Sequence, residues 1–472
     1  MKVFLLNPPP VNKGKFVKEG RCQSRAGGEL WPPVTLGIIA ALLKKNKYEI
    51  KCIDGTAENL SLEDIETISK DFDISVINST TVTFFDDIEV AKAIKKANSN
   101  IKIIFYGTHV TALPEETLKY DEVDFVVRND PELIVLNLLN ALKNKEDLKN
   151  IKGISFKDKG KIINNSGIDF SYNLDELPFP ALEYFPNEKY TLPNSKDKFT
   201  VVRTSRGCPS QCVYCTSRVY YGNKWRTRSV KNVLEEIRRD VNIFGIKTFL
   251  FNSDTFNVRD DWVLELCNGI MEIDKSIRWM CNSRSDTFIR AKDNTLKAMK
   301  ESGCWLISFG FESGDENMLR RMKKGATLEM AEQAVNKAKQ YGFETIGYFM
   351  FGLPGETKET IKNTINFAKK INPTYVRFFK AVPFPGTEFY TEAESNNWIK
   401  SRDWSRYDQA DCDVYELDNI SSKEMVKELR KAYLSFYLRP GYALSQIKGK
   451  SIPELGKTVV SGIKFLKEWA LP

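Results

Sequence analysis

Two successive α/β units and a helical carboxyl-terminal region are the fold this sequence predicts. A doubly wound parallel sheet is expected over residues 1–145, a hairpin and linker over 146–198, a partial TIM-type (β/α)6 barrel over 199–395, and a helical region with a basic amphipathic tail over 396–472. Three observations predict it. The chain of 472 residues is longer than one hydrophobic core usually supports. Short β-rich runs alternate with helical patterns in both halves, the mark of parallel sheets crossed by helices. The stretch between the halves, with Lys157-Asp-Lys-Gly-Lys161 and Leu177-Pro-Phe-Pro180, reads as a hairpin followed by an extended connection.

In the first half, Met1 to Leu6, Glu49 to Ile53, Ile74 to Asn78 and Ile101 to Tyr106 read as strands. Thr35 to Lys44, Leu62 to Asp71 and Asp86 to Ala97 carry the helical period between them. Ligands of such sheets bind outside the carboxyl ends of the strands. That rule selects the loops at Asn7, Pro8 and Pro9, at Asp54, at Ser79, Thr80 and Thr81, and at Gly107, Thr108, His109 and Val110. A dinucleotide site needs Gly-x-Gly-x-x-Gly after the first strand, where this chain has prolines, so NAD is disfavoured. In the second half six strands are expected: Val201 to Arg203, Thr248 to Asn252, Arg278 to Asn282, Leu306 to Phe309, Thr345 to Phe351 and Tyr375 to Val382. Amphipathic helices such as Val230 to Asn242 and Leu328 to Tyr341 alternate with them. Barrel chemistry gathers at the carboxyl ends of strands.

Directly after the first barrel strand comes Arg206-Gly-Cys-Pro-Ser-Gln-Cys-Val-Tyr-Cys215. Three thiolates on one loop, Cys208, Cys212 and Cys215, can each hold a different iron of a four-iron cube. No fourth cysteine is near in sequence, which leaves one iron open. A structural zinc site wants four ligands in paired spacings, and the single histidine, His109, lies far upstream in the other half. A disulfide framework suits short secreted chains, whereas this one has an odd nine cysteines and no charged-then-apolar leader at Met1. Ordinary core cysteines at a chance spacing are the remaining alternative. Cys22, Cys52, Cys267, Cys281, Cys304 and Cys412 are scattered and read as small buried hydrophobes.

Of the net charge of +8, six units belong to the stretch from Lys423 to Glu468, with ten Lys or Arg against four Glu. Tyr433, Phe436, Tyr437, Leu438, Tyr442, Ile463, Phe465, Leu466 and Trp469 stand among those charges. Two readings stay open for this tail: a packing helix with a solvated basic face, or a segment lying on an anionic membrane surface or reaching an amphiphilic substrate. No basic patch surrounds the cysteine loop, so nucleic acid is not an expected partner. No run reaches the length of a spanning helix, and the cytoplasm is the expected compartment, with membrane association as a second expectation.

The cysteine run, with the aromatic Tyr214 before its last thiol, resembles the cluster motif of radical S-adenosylmethionine enzymes. There the amine and carboxylate of S-adenosyl-L-methionine chelate the open iron of a [4Fe-4S] cluster. Other barrel strand ends place polar or glycine residues after apolar runs: Ser253 and Asp254, Arg284, Glu312 and Ser313, Gly352 to Glu356, and Pro383. Each alone is compatible with a turn or cap; together they resemble that family's nucleoside-binding loops. The resemblance implies ribose contacts from Gly-Phe-Glu-Ser313 and adenine and methionine contacts from Gly347 through Gly352 and Glu356. Arg284 and Lys324 are weaker candidates for the carboxylate or the substrate.

The first half, with Asn7-Pro-Pro, Pro32-Pro-Val-Thr-Leu-Gly37 (carrying Thr35 and Gly37), Asp54, the Ser/Thr run and Gly107 to Glu116, resembles the Rossmann-like cobalamin-binding domain that precedes many radical domains. Two departures matter. The Asp-x-His-x-x-Gly signature is absent, which implies a cobalt without a histidine lower ligand. Where the family often has Gly-Glu-Gly-Glu this chain has Val127-Arg-Asn-Asp-Pro-Glu132. For His109 a loop residue bonded to backbone and a contact on the corrin rim are both open.

What the resemblance implies is reductive cleavage of S-adenosylmethionine to a 5′-deoxyadenosyl radical, with cobalamin as methyl donor to an unactivated carbon. The substrate class implied is a small molecule, lipid-like or tetrapyrrole-like, and the electron donor a flavodoxin or ferredoxin. Ring closure, rearrangement or carbon–carbon coupling with the same cofactors is the alternative. A non-catalytic iron–sulfur or cobalamin carrier or sensor is a further one. With one histidine in the chain, no catalytic base can be named.

Overall fold

The computed structural model describes residues 1–442, apart from residues 13, 20–23, 26–29, 168–169, 171, 194 and 411. The basic tail beyond Tyr442 and Cys22 therefore lie outside the described residues.

The first strand, β1 (Lys2–Asn7), pairs in parallel with β2 (Glu49–Asp54) on one side and β3 (Ile74–Asn78) on the other. Next come β4 (Lys102–Tyr106) and β5 (Phe125–Val127), also parallel, giving the order β2-β1-β3-β4-β5. That is the flavodoxin-like doubly wound order, whose switch point lies between β1 and β3. These strands read as continuous apolar runs because helices cover both faces: Val3, Phe4, Leu5 and Leu6 are fully buried. β5 was not among the expected strands; three residues between Asp124 and Arg128 are too few to show a period. The expected hairpin, β6 (Ile154–Asp158) and β7 (Lys161–Asn164), does not stand in the linker. It extends the sheet antiparallel to β5.

The second sheet runs in sequence order and wholly parallel: β8 (Phe199–Val202), β9 (Thr248–Phe251), β10 (Arg278–Ser283), β11 (Cys304–Glu312), β12 (Glu344–Phe351) and β13 (Tyr375–Lys380). β8 stops before Arg203, which leaves the ladder to pair with Glu19 of the first unit. β11 is longer than expected and ends on a register shift between Gly310 and Glu312. β13 ends at Lys380, two residues sooner than expected, ahead of Pro383.

An open barrel leaves an edge on β13, and the helix Ser422–Tyr437 covers it. The Tyr433 hydroxyl accepts from Phe378 N at 3.0 Å and donates to Phe378 O at 2.7 Å. Tyr437 does the same for Val376 at 3.0 and 2.8 Å. Two phenols thus replace the missing neighbour strand. This part of the tail is a packing helix, opened by a Ser421/Glu424 capping box and exposing Lys423, Lys427, Arg430 and Lys431. Replacing Tyr433 by Phe strands a buried amide and carbonyl, and is expected to cost about 1–3 kcal/mol. An unchanged denaturant midpoint for Tyr433→Phe would contradict the edge-capping role. No described helix is long and apolar enough to cross a membrane.

Candidate active site

The cysteine loop leaves the carboxyl end of β8 and is held by backbone on both sides. Val213 N donates to Met322 O at 3.2 Å, and Phe389 N to Val213 O at 2.9 Å. Gly207 has φ +81°, and a Cβ there would stand 2.1 Å from Lys224 O, so only glycine fits before the first thiol. Its N–H donates to Asp254 Oδ2 at 2.9 Å. Cys208, Cys212 and Cys215 are half-buried and unbridged, while Cys52, Cys267, Cys281, Cys304 and Cys412 are buried. No three His, Cys, Asp or Glu side chains among the described residues converge on a single ion. A cube would ask each of the three thiolates for a different iron.

Cations and a phenol gather round the thiols. Burial pulls Arg284 down, but Asp286, Cys212 and Cys208 outweigh it and hold the guanidinium above its usual range. Burial also lowers Lys324, and Glu312 and Cys212 more than reverse it. The Tyr214 hydroxyl is pushed well up by burial first, then by Glu312, Cys212 and Cys215. Lys324 Nζ lies 2.8 Å from Glu312 Oε1 and 3.5 Å from Tyr214 Oη, and Arg284 Nη2 donates to Lys324 O at 2.8 Å. Glu312 takes the left-handed φ of +66° at the β11 register shift. A Cβ on Gly310 would fall 2.3 Å from Glu312 Oε1, so Gly310 clears the carboxylate's space. Of the predicted residues, Tyr214, Asp254, Arg284, Glu312 and Lys324 are thus brought to the cysteine loop.

Others are arranged differently. Ser313 Oγ faces Thr364 Oγ1 of the helix Lys358–Ile371 at 3.2 Å. Gly352, at φ +95°, donates to Glu356 Oε2 at 3.1 Å and its carbonyl accepts from Tyr415 Oη at 2.7 Å. Ser253 Oγ is buried with no partner among the described residues, and Pro383 is buried. Burial raises the Glu356 carboxyl from 4.5 to about 7, against hydrogen bonds from Thr360 and Gly352 that lower it. A raised folded value means the folded state holds its proton more tightly. Stability is therefore fullest below pH 4.5 and declines until pH passes about 7. Glu356→Gln is expected to remove about 3 kcal/mol of that decline, read as the wild-type-minus-variant difference in unfolding free energy across the window. A difference that does not vary with pH would contradict it.

In the first sheet the predicted loops divide. Asp54 is occupied inside the fold: its carboxylate accepts from Asn7 Nδ2 and Tyr190 Oη, both at 2.8 Å, and caps Thr56 N and Ala57 N. Pro8 O accepts from Thr56 Oγ1, and Pro9 Cδ lies 2.9 Å from where a Gly55 Cβ would be. Thr35 donates to Glu19, and Gly37 admits the linker, with Phe185 and Pro180 each 3.1 Å from its Cβ position. Thr80 pairs with Thr83, and Ser79 and Thr81 are buried at the end of β3. These residues lock the loops and linker together.

Gly107, Thr108, His109 and Val110 instead reach the junction with the barrel. The helix Thr108–Ala112 packs on Ser217–Tyr221, the helix that follows the cysteine loop. Asn129 Nδ2 donates to Val219 O at 2.8 Å. His109 is buried between Phe84, with ring centroids 4.3 Å apart, and Trp404 at 5.1 Å. Desolvation lowers its pKa to about 3, so it is neutral, and neither ring nitrogen has a partner among the described residues. The backbone-bonded reading of His109 is not what the structure has. Tyr106 Oη, Thr108 Oγ1, Ser205 Oγ, Ser217 Oγ and Tyr221 Oη are also buried and unpartnered among the described residues. Polar atoms left this way on both sides of a junction suit a large ligand with amide groups round its rim.

Sequence reasoning missed the residues that join the two units. Arg203 pairs with Glu19, Arg206 with Glu132 and Asp130, Arg226 with Asp130, and Trp404 Nε1 donates to Glu116 Oε1 at 2.6 Å. The available signal was charge inside otherwise apolar or glycine-rich strand ends.

Residues 202–368 match the Radical SAM superfamily, and residues 25–139 match the B12 binding domain. An uncharacterized methyltransferase of Pyrococcus horikoshii is 37% identical over 450 residues, covering 95% of both chains. The cytidylyl-2-hydroxyethylphosphonate methyltransferase of Streptomyces wedmorensis is 26% identical over 78% of both. Among solved structures, the cobalamin-dependent S-adenosylmethionine radical enzyme OxsB, with aqua-cobalamin and S-adenosylmethionine bound, superposes with a TM-score of 0.75. That match has 17% identity and covers 99% of this chain and 71% of the other, a likeness of fold. A two-unit chain with three thiols at the barrel mouth, matched along nearly its whole length, belongs to the cobalamin-binding radical S-adenosylmethionine enzymes, whose cofactors are a [4Fe-4S] cluster, S-adenosyl-L-methionine and cobalamin.

Proposed function

We propose that this enzyme is a C-methyltransferase acting on an unactivated carbon of a small-molecule, lipid-like or tetrapyrrole-like substrate. The observation that carries the reading is the placing of three half-buried thiols on one loop, beside Arg284, Lys324, Tyr214 and Glu312, at a barrel mouth that abuts the carboxyl ends of the first sheet. When bound, the cofactors supply reductive cleavage of S-adenosylmethionine and a transferable methyl group. The chain's part is placement. Cys208, Cys212 and Cys215 would hold the cluster, and the Arg284 and Lys324 cations offset the negative charge of the thiolates. Glu312 and the Gly352–Glu356 turn would orient the nucleoside. Thr108, His109, Ser217 and Tyr221 would meet the corrinoid, where a neutral His109 can accept or donate one hydrogen bond. Packing of the linker and of Trp404 over the junction would keep water from the reacting carbon.

A low-potential flavodoxin or ferredoxin is the electron donor we assign, and the reducing cytoplasm the compartment. The exposed stripe of Lys423, Lys427, Arg430 and Lys431 supports contact between this end of the chain and an anionic membrane surface. The test uses methyl-labelled S-adenosylmethionine with reductant and a panel of candidate substrates. Methyl transfer predicts S-adenosylhomocysteine beside 5′-deoxyadenosine, with label in the product. Turnover giving 5′-deoxyadenosine alone would replace methylation by cyclisation or coupling. A fully loaded chain that never cleaves S-adenosylmethionine would be a carrier or sensor.

A further inference from the structure

Arg206 stands two residues before Cys208, yet its guanidinium leaves the barrel and crosses to Asp130 after β5 and to Glu132 in the first turn of the helix Pro131–Asn144. Its Nη1 and Nη2 donate to Glu132 Oε2 and Oε1 at 2.9 and 2.6 Å, a two-toothed fork. Asp130 Oδ1 lies 3.3 Å from Nη1. Arg226 faces Arg206 across the short antiparallel ribbon of Ser205–Arg206 and Arg226–Thr227, and donates to Asp130 Oδ2 at 2.7 Å. Tyr172, from the linker, donates to the same oxygen at 2.6 Å. The side chains of Arg206, Asp130 and Glu132 are 3%, 2% and 0% exposed. Two guanidinium groups meet two carboxylates, so the buried charge balances.

A buried ion pair of this kind is seldom more stabilising than well-packed apolar residues of the same volume. What the planar fork does provide is one permitted orientation, which a lysine or an apolar pair cannot impose. On its other side the loop is fixed at the next residue, where Gly207 donates to Asp254. The segment entering the first thiol is thus clamped between the two units.

We propose that Glu132 and Asp130 are positioning residues for the cluster, acting through Arg206, so that the sheet domain sets where the three thiols sit at the barrel mouth. The proposal rests on the cluster reading above, and its test separates the two. The full-length chain is compared with Arg206→Met, Glu132→Gln and the double variant Arg206→Met/Glu132→Leu. Two readouts are taken beside thermal unfolding: iodoacetamide alkylation rates of Cys208 and Cys212 in the metal-free chain, with buried Cys267 as reference, and the reduced-cluster electron paramagnetic resonance spectrum with and without S-adenosylmethionine. Breaking the clamp is expected to change the Cys208 rate by about tenfold or more, the scale on which losing an outer contact weakens metal binding at other sites, and to remove the spectral response to S-adenosylmethionine. Cys267 should not change. In the double variant the apolar pair is expected to restore the unfolding midpoint but neither readout. Native alkylation rates and spectra in the variants, or their return with the midpoint, would reduce the clamp to a stabilising contact and overturn the proposal. Should Arg206→Met fail to fold, Glu132→Gln, which keeps the shape of the pair, decides. A native chain that takes up no iron would sink the cluster reading, while the alkylation rates still judge the clamp.

Discussion

Cys212→Ala is expected to lose the cluster and, with it, all cleavage of S-adenosylmethionine, to the background of the reductant alone. Cys212 is the middle thiol of the loop and lies near both cations: Arg284 and Lys324 each register its charge. Three thiolates are the minimum that leaves a single iron open, so removing one leaves two irons without protein ligands. The stability of the chain should change little, because Cys212 is half-buried and its hydrogen bond, to Lys323 O, is long at 3.9 Å. Buried Cys267, on the helix Asp260–Ile273, is the control: Cys267→Ala should keep iron and activity while lowering stability. The check is iron per chain and 5′-deoxyadenosine formed, side by side. Retained iron and cleavage in Cys212→Ala would remove the thiol from the site.

Gly107→Ala is expected to cost heavily in folding. The residue sits at φ +131° between β4 and the helix Thr108–Ala112, and an added Cβ would stand 2.0 Å from Ser79 O. Ser79 N is in turn held by Tyr106 O at 2.8 Å, so the obstacle is backbone and cannot step aside. Strain and overlap act together, for a loss of about 3 kcal/mol or more. Two of the loops facing the barrel, those ending β3 and β4, would part. Chemical denaturation should show the drop, together with weakened cobalamin uptake by the folded fraction; a native midpoint would mean the turn is not constrained as described.

Much of this was legible in the sequence because the signals are local. The spacing of Cys208, Cys212 and Cys215, the glycines and acids at strand ends, and the alternation of periods all lie within a few residues of one another. What escaped is long-range. Glu132 and Arg206 are 74 residues apart, and no period or motif connects them. β5 is too short to announce itself, and the hairpin of β6 and β7 looks like a connection until the exposed edge of β5 is known to need a neighbour. Asp54 and Gly37 were chosen by their place after strands and in a motif. In the structure their partners are Tyr190, Phe185 and Pro180, all from a linker whose path the sequence does not reveal. Trp404 reads as a loose aromatic in the chain; in the fold it covers His109 and bonds Glu116.

Mössbauer spectroscopy of the anaerobically iron-loaded chain, with and without S-adenosylmethionine, addresses the account most directly. It predicts a four-iron cluster in which one iron site alone changes on adding S-adenosylmethionine, and loss of that cluster in Cys212→Ala. A cluster whose irons are all indifferent to S-adenosylmethionine, or a tightly held zinc ion in its place, would contradict it.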